Sequence, residues 1–507
     1  MRTKKAIINF FTDAFPQLII MILGFFKIKL FLNFLGDDKL GLYQLYGQIV
    51  SYLVLVEGGV GSAMLFRLYK PIHDNDQKRI NQIMSASRLV FNIVGIAILF
   101  LGIIISFNVR FLIKDNIFEN SYLIFTFVLF LLSQSLNYFV LPYRNMFDAS
   151  QDRYIPNIIY QTITIIKSII EIIIVCNGGG LTTILISLLI CSFASNLLIY
   201  IMFKIKYPKI SFKEKKDFSM VSDVKHLFVN TIGNLISNNI DILLISKFIG
   251  LKVVVIYTTY NYFIEAIKQL IDKITGATMS GIGDVLASDD GDKAEIFNEF
   301  NNLVSFLAIL ICTPLFICIN GFINVWYEGK IQTAILFSLL FSFLLFLNII
   351  RIPLKVFSLS SGKFVEVKRF VILEIIINLV LSLTLINKFG ISGVVFATIV
   401  SIIISDILFK ARVVFKKIIC SSITKYYLQL LMNVIFLVII NFLFYLVIPK
   451  NYNSVVVCII IGGMVGVINL IITTIFFNKT KQLNFLERFK FFKKIKSLDK
   501  MIQREKE

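Results

Sequence analysis

Charge is scarce in this chain: 16% of its 507 residues are Asp, Glu, Lys or Arg, against 57% hydrophobic residues and 50 Phe. A soluble domain carries roughly a quarter charged residues, so this composition, with a mean hydropathy of +0.82, excludes a water-soluble fold. Histidine is scarcer still. The two present, His73 and His226, fall between apolar runs, which argues against a histidine-based metal or acyl-transfer site inside a membrane. Cys176, Cys191, Cys312, Cys318, Cys420 and Cys458 show no C-x-x-C spacing and read as small buried apolar residues. A phosphate-binding nucleotide loop is also missing. Ser361-Gly362-Lys363-Phe364 has the Gly-Lys pair but neither the first Gly nor the following Ser/Thr, so this chain carries no nucleotide-driven engine.

What the chain has instead is long apolar runs. A membrane-spanning helix needs about 20 such residues, and fourteen runs qualify: 13–35, 42–66, 89–107, 121–141, 157–176, 181–203, 227–249, 253–274, 303–319, 331–350, 370–386, 391–409, 427–448 and 455–477. Most of the 51 Lys and Arg fall on the side shared by both termini, in linkers 67–88, 204–225, 351–369 and 410–425. The opposite linkers are as short and as poor in charge as 177–180 and 387–390. By the positive-inside rule both termini are cytoplasmic. The net charge of +20 then faces anionic lipid headgroups, and nucleic acid is not an expected partner. Arg2, Lys4 and Lys5 precede a run long enough to span, with no small-residue cleavage site after it, and read as the start of a retained helix. Abundant Ile, Lys and Asn fit a bacterial cytoplasmic membrane.

The halves repeat weakly but in nearly one register, at shifts of 214, 210 and 211 residues. Leu35-Gly36, Tyr43 and Tyr46 recur as Ile249-Gly250, Tyr257 and Tyr260; Asn177 to Leu181 recurs as Asn387 to Ile391, and Pro142 with Arg144 as Pro353 with Lys355. Six helices return a chain to its starting side, so the copies share an orientation and are related by an axis along the membrane normal. The expected architecture is an all-α polytopic membrane protein with two pseudo-symmetric six-helix lobes, 1–212 and 213–424, a helix pair at 425–478, and a cytoplasmic amphipathic tail at 479–507. The tail is expected to lie on the membrane surface or to dock a glycosyltransferase or polymerase.

Together, the fourteen spans, the 6+6+2 plan, the basic linker between lobes and Pro142-Tyr143-Arg144 to Arg153 leaving span four resemble the multidrug/oligosaccharidyl-lipid/polysaccharide exporter superfamily, in particular its flippases of capsule and O-antigen repeat units. The resemblance implies a substrate of polyprenyl-diphosphate-linked oligosaccharide moved by alternating access. Multidrug exporters of the superfamily usually have twelve spans; lipid II flippases have fourteen and compete closely. A membrane polysaccharide polymerase is the reading from a different class. Its chemistry usually sits on a large external loop, and the longest external linker here, 108–120, is short.

An ionisable residue inside a span is costly unless it lines water or finds a partner, so such residues are the site candidates. Lys27 and Lys29 lie deep in span one, and the repeat register carries Lys27 onto Asp241 in span seven. Asn230, Asn234, Asn238 and Asp241 form one polar stripe that is expected to face a cavity. Lys167 with Glu171, and Glu265 with Lys268, are spaced to meet on one helix face. Glu57 stands beside Gly58-Gly59-Val60-Gly61, glycines that read as close packing or a helix break. The expected substrate contacts are Lys27, Lys29, Lys167, Asn230, Asn234, Asn238 and Lys268, with Glu57, Glu171, Asp241 and Glu265 as exchangers of H+ or Na+; no other cofactor is expected. Arg67, Arg88 and Arg351 are expected to snorkel to headgroups.

Overall fold

The computed structural model describes residues 2–53, 57, 59–114, 116–218, 240–276, 282, 293–331, 334–361, 364–448, 452 and 454–483. Among these the chain is helical with no strands, as lipid requires: a lone helix satisfies its own backbone hydrogen bonds, whereas an open strand cannot. The chain forms two compact units, Met1–Thr259 and Tyr260–Glu507.

The first unit contains α1 (Arg2–Leu35), α2 (Asp37–Leu53), α3 (Val60–His73), α4 (Gln77–Ser106), α5 (Asn120–Ala149), α6 (Tyr154–Cys176), α7 (Leu181–Lys206), α8 (Ile240–Phe248) and the start of α9 (Leu251–Gly276). Chain reversals fall where the side chain disappears. Gly36, at φ 83°, turns α1 into α2, and Gly178, at φ 80°, ends α6 with Gly179 N–H donating back to the Ile174 carbonyl at 2.8 Å. Asp76 caps α4 by accepting from Arg79 N–H at 3.0 Å. The core divides in two along the helices: Leu45, Tyr46, Phe127 and Leu131 belong to one cluster, and Met64, Met84, Phe147 and Phe203 to the other.

The second unit holds the rest of α9, then α10 (Lys293–Trp326), α11 (Ile335–Ile350), α12 (Ile352–Ser360), α13 (Phe364–Ile402), α14 (Thr424–Val447) and α15 (Val455–Lys479). Helix α13 is two spans joined at Gly390, whose φ of 57° breaks the helix at the end of the turn expected at 387–390. Beyond it the chain winds wider, as π-helix at Ile403–Lys410 and Phe415–Ile419. The Tyr427 hydroxyl donates to the Ile407 and Leu408 carbonyls at 3.2 and 3.0 Å. Helix α15 docks on α10 through Asn469, whose amide donates to the Ile309 carbonyl at 3.1 Å. The outer faces of α14 and α15 expose Val447, Leu446 and Ile459, which lipid tolerates and water would not.

Ten described helical stretches are long and apolar enough to cross a membrane, and the chain is a multi-pass membrane protein. One of the ten, Arg369–Ile419, contains two expected spans separated by Gly390. Span two is covered by the separate helices α2 and α3, with residues 54–56 and 58 outside the described ones, span seven lies mostly outside the described residues, and span eight is α9, whose charges dilute its hydropathy. Hydroxyls within spans return to their own helix: Ser87 donates to the Ile83 carbonyl at 2.7 Å and Ser358 to Leu354 at 2.6 Å.

Candidate functional site

In the first unit α1 packs along α6, and the seam is tied by charge. Lys27 Nζ lies 2.6 Å from Glu171 Oε2, with the lysine side chain 18% exposed and the carboxylate fully buried. The ammonium also sits 5.3 Å from the ring centroids of both Phe31 and Tyr43, where aromatic faces favour a cation. The second carboxylate oxygen, Glu171 Oε1, is buried with no hydrogen-bond partner. Among the described residues, one oxygen of this buried carboxylate is thus partnered and the other is not.

The one-face pairing expected for Lys167 and Glu171 does not form, because Glu171 is taken by Lys27 from the neighbouring helix. Lys167 stays half-buried on α6. Lys29, two residues beyond Lys27, is turned by about 200° around α1 and faces elsewhere.

Glu57 occupies the break between α2 and α3. A side chain at Gly61 would collide with Glu57 Oε1 at 2.8 Å and crowd Asn145 Nδ2 at 3.4 Å, so this glycine is what lets the carboxylate in. Asn145 Nδ2 of α5 donates to the Gly61 carbonyl at 3.3 Å. Asp241 on α8 is 8% exposed and accepts from the Tyr257 hydroxyl at 2.7 Å. Of its polar stripe, Asn230, Asn234 and Asn238 lie outside the described residues, as do 484–507 of the tail.

In the second unit Lys268 and Glu265 do meet on one face of α9, at 3.2 Å, with Glu265 44% exposed. The larger charge assembly there was not anticipated. Arg351, at the α11–α12 junction, lies 3.0 Å from Glu374 of α13 and 3.7 Å from Asp406, and Asp406 lies 3.2 Å from Lys410. These side chains are 17%, 7%, 6% and 7% exposed in the order Arg351, Glu374, Asp406, Lys410. Arg351 thus does not snorkel; two carboxylates hold it inside. Lys410, expected at the start of the cytoplasmic linker 410–425, is likewise buried. The usable signal was the i,i+4 spacing of Asp406 and Lys410 inside an apolar run, a pattern that marks a neutralised pair. Two of the cysteines also depart from expectation: Cys176 and Cys420 are exposed at helix ends, while Cys191, Cys312 and Cys458 are buried. Among the described residues no three His, Cys, Asp or Glu gather to hold a metal.

Residues 8–279 match the sequence profile of a family described as polysaccharide biosynthesis protein. No curated protein matches in sequence. Among solved structures, a lipid II flippase MurJ in an inward closed conformation is similar at TM-score 0.68 and 15% identity, over 92% of this chain and 99% of that one. An inward-facing multidrug resistance MATE family transporter of the MOP superfamily is similar at TM-score 0.60 and 15% identity, over 80% and 96%. A mutant of the Vibrio cholerae MATE transporter VcmN is similar at TM-score 0.51 and 13% identity, over 82% and 99%. At such identities the likeness is one of fold, and it agrees with the superfamily resemblance read from the span pattern.

Proposed function

Because this chain belongs to the polysaccharide biosynthesis protein family, we propose that it is a flippase for polyprenyl-diphosphate-linked oligosaccharides. In this reading it works in the bacterial cytoplasmic membrane with both termini cytoplasmic, and supplies repeat units for capsule, O-antigen or exopolysaccharide synthesis. It acts by alternating access rather than by bond-making chemistry.

The observation that carries this reading is the Lys27–Glu171 pair. A cation held by one carboxylate oxygen and two aromatic rings, well inside a membrane helix, offers a diphosphate a partner once Glu171 lets go. Glu171, with Oε1 already unpartnered, then takes a proton or Na+ to avoid standing as a buried bare charge. Substrate and coupling ion thereby exchange at one place, and the cycle needs no nucleotide. Lys167, on the same helix as Glu171, adds positive charge; Lys29, Lys268, Glu57, Asp241 and Glu265 remain proposed contributors of the same kinds. Anionic lipids are the proposed partners of the basic linkers, and glycosyltransferase or polymerase machinery of the tail.

A second reading, a lipid II flippase, is favoured by the fold likeness to MurJ over nearly the whole of both chains. It differs in the sugar, not in the diphosphate chemistry at Lys27.

The test is the sidedness of lipid-linked oligosaccharides in cells depleted of the protein, read with an impermeant sugar-oxidising reagent on spheroplasts. Complete repeat units trapped on the cytoplasmic side are expected. Units accumulating outside would shift the assignment to polymerisation, trapped lipid II would select the second reading, and no accumulation of either would point to drug export.

A further inference from the structure

Arg144 is another half-buried cation of the first unit, and its environment differs from that of Lys27. It stands near the C-terminal end of α5, with its guanidinium carbon 4.8 Å from the centroid of the Tyr160 ring on α6. Its Nε and Nη2 are buried and have no hydrogen-bond partner. These two nitrogens form one edge of the planar guanidinium, the edge that grips a carboxylate or phosphate through two parallel N–H···O bonds. Asp148, one turn further on, lies near enough to act on Arg144 but is itself drawn by Arg153, whose Nε is 4.0 Å from Asp148 Oδ1. That edge has the geometry of an anion grip, and among the described residues no side chain hydrogen-bonds to it.

Its position on α6 gives that fork a direction. Tyr160, Lys167 and Glu171 are seven and then four residues apart, which places them within about 40° of one another on the helix. Lys167 is about 10 Å along the axis from Tyr160, and Glu171, with Lys27 upon it, about 16 Å. One helix face thus runs from Arg144 over Tyr160, past Lys167, to the Lys27–Glu171 pair.

We infer that Arg144 and Tyr160 form a docking site for a phosphate group at the end of this stripe, where the anion is gripped before it passes along α6 to Lys27. The inference rests on the diphosphate-substrate reading above and adds the place at which the anion first engages. The tyrosine ring holds the guanidinium plane, and the two free N–H groups take two oxygens of one phosphate. A lysine at 144 keeps the charge but loses the fork.

The test uses the full-length protein in lipid nanodiscs, with farnesyl diphosphate as a short isoprenoid diphosphate probe and calorimetric titration as the readout. The wild type is expected to bind. Arg144→Lys is expected to weaken binding by at least about tenfold, and Tyr160→Leu, which leaves Arg144 intact but unsupported, by several-fold, each at an unfolding temperature close to wild type. Competition with inorganic pyrophosphate identifies the source of the anion: displacement supports a site for phosphate as such, and failure to displace supports a site for a lipid headgroup. If the wild type binds and both variants bind within twofold of it, the docking site is wrong while the substrate reading stands. If the wild type does not bind, both fall.

Discussion

Tyr257 donates a 2.7 Å hydrogen bond to Asp241, and the residues at the same register of the first repeat, Tyr43 and Lys27, also touch, with the ammonium 5.3 Å from the ring centroid. The repeat has kept a contact and reversed its charge. A tyrosine can serve both versions because its hydroxyl donates to a carboxylate while its ring face attracts a cation.

Tyr257→Phe should therefore be costly where a conservative aromatic change is usually mild. The ring still fills its place, but Asp241, 8% exposed, loses a buried donor, a loss of roughly 1–3 kcal/mol. A clear fall in the unfolding temperature of purified protein is expected; a variant as stable as wild type would show that the hydroxyl bond contributes nothing.

Lys27 and Glu171 separate structural from functional roles. Removing one partner of a buried pair leaves a bare charge and costs roughly 3–5 kcal/mol, whereas removing both is often tolerated. Lys27→Met and Glu171→Gln should each destabilise the protein, and the double variant should recover most of the loss. Transport, read as restored polysaccharide in depleted cells, should remain absent in the double variant. Recovery of both stability and transport would reduce the pair to a structural tie.

The Glu265–Lys268 and Asp406–Lys410 pairs make a controlled contrast. Both are within one helical turn at 3.2 Å, yet Glu265 is 44% exposed and Asp406 6%. Glu265→Gln should change stability by less than about 1 kcal/mol. Asp406→Asn leaves Lys410 and part of Arg351 uncompensated and should cost about 3–5 kcal/mol. Thermal unfolding of the two variants side by side reads the difference, and equal shifts would refute the assignment of burial as the deciding variable.

The span pattern was legible because lipid imposes one rule on every helix, and the turns at Gly178 and Gly390 fell where the sequence places its short linkers. Pairing was less legible. Spacing along one helix suggested Lys167 with Glu171, but helix packing decided for Lys27, since the choice between an intrahelical and an interhelical partner depends on which helices adjoin. The same limit concealed Arg351 and Glu374, whose residues lie far apart in sequence and meet only through the packing of α11 and α12 with α13. Lys410 was misplaced for another reason: a basic residue after an apolar run looks like a boundary, and only its i,i+4 spacing from Asp406 marks it as half of a buried pair.

Glycines in α2 provide the last test, because two of them differ only in what lies opposite. A side chain at Gly41 would run into the backbone carbonyl of Leu251, at the start of α9, whereas one at Gly47 would meet the Phe130 ring at 3.8 Å, an ordinary contact. A ring can shift; a helix backbone cannot without moving its whole turn. Ala is the better helix former by about 1 kcal/mol, so Gly47→Ala should leave stability unchanged or slightly raised. Gly41→Ala should lower the unfolding temperature despite the same intrinsic gain, since overpacking costs about 1–3 kcal/mol. Melting of the two variants in one detergent decides it, and a Gly41→Ala protein as stable as Gly47→Ala would mean that α2 and α9 do not approach as closely as Gly41 allows.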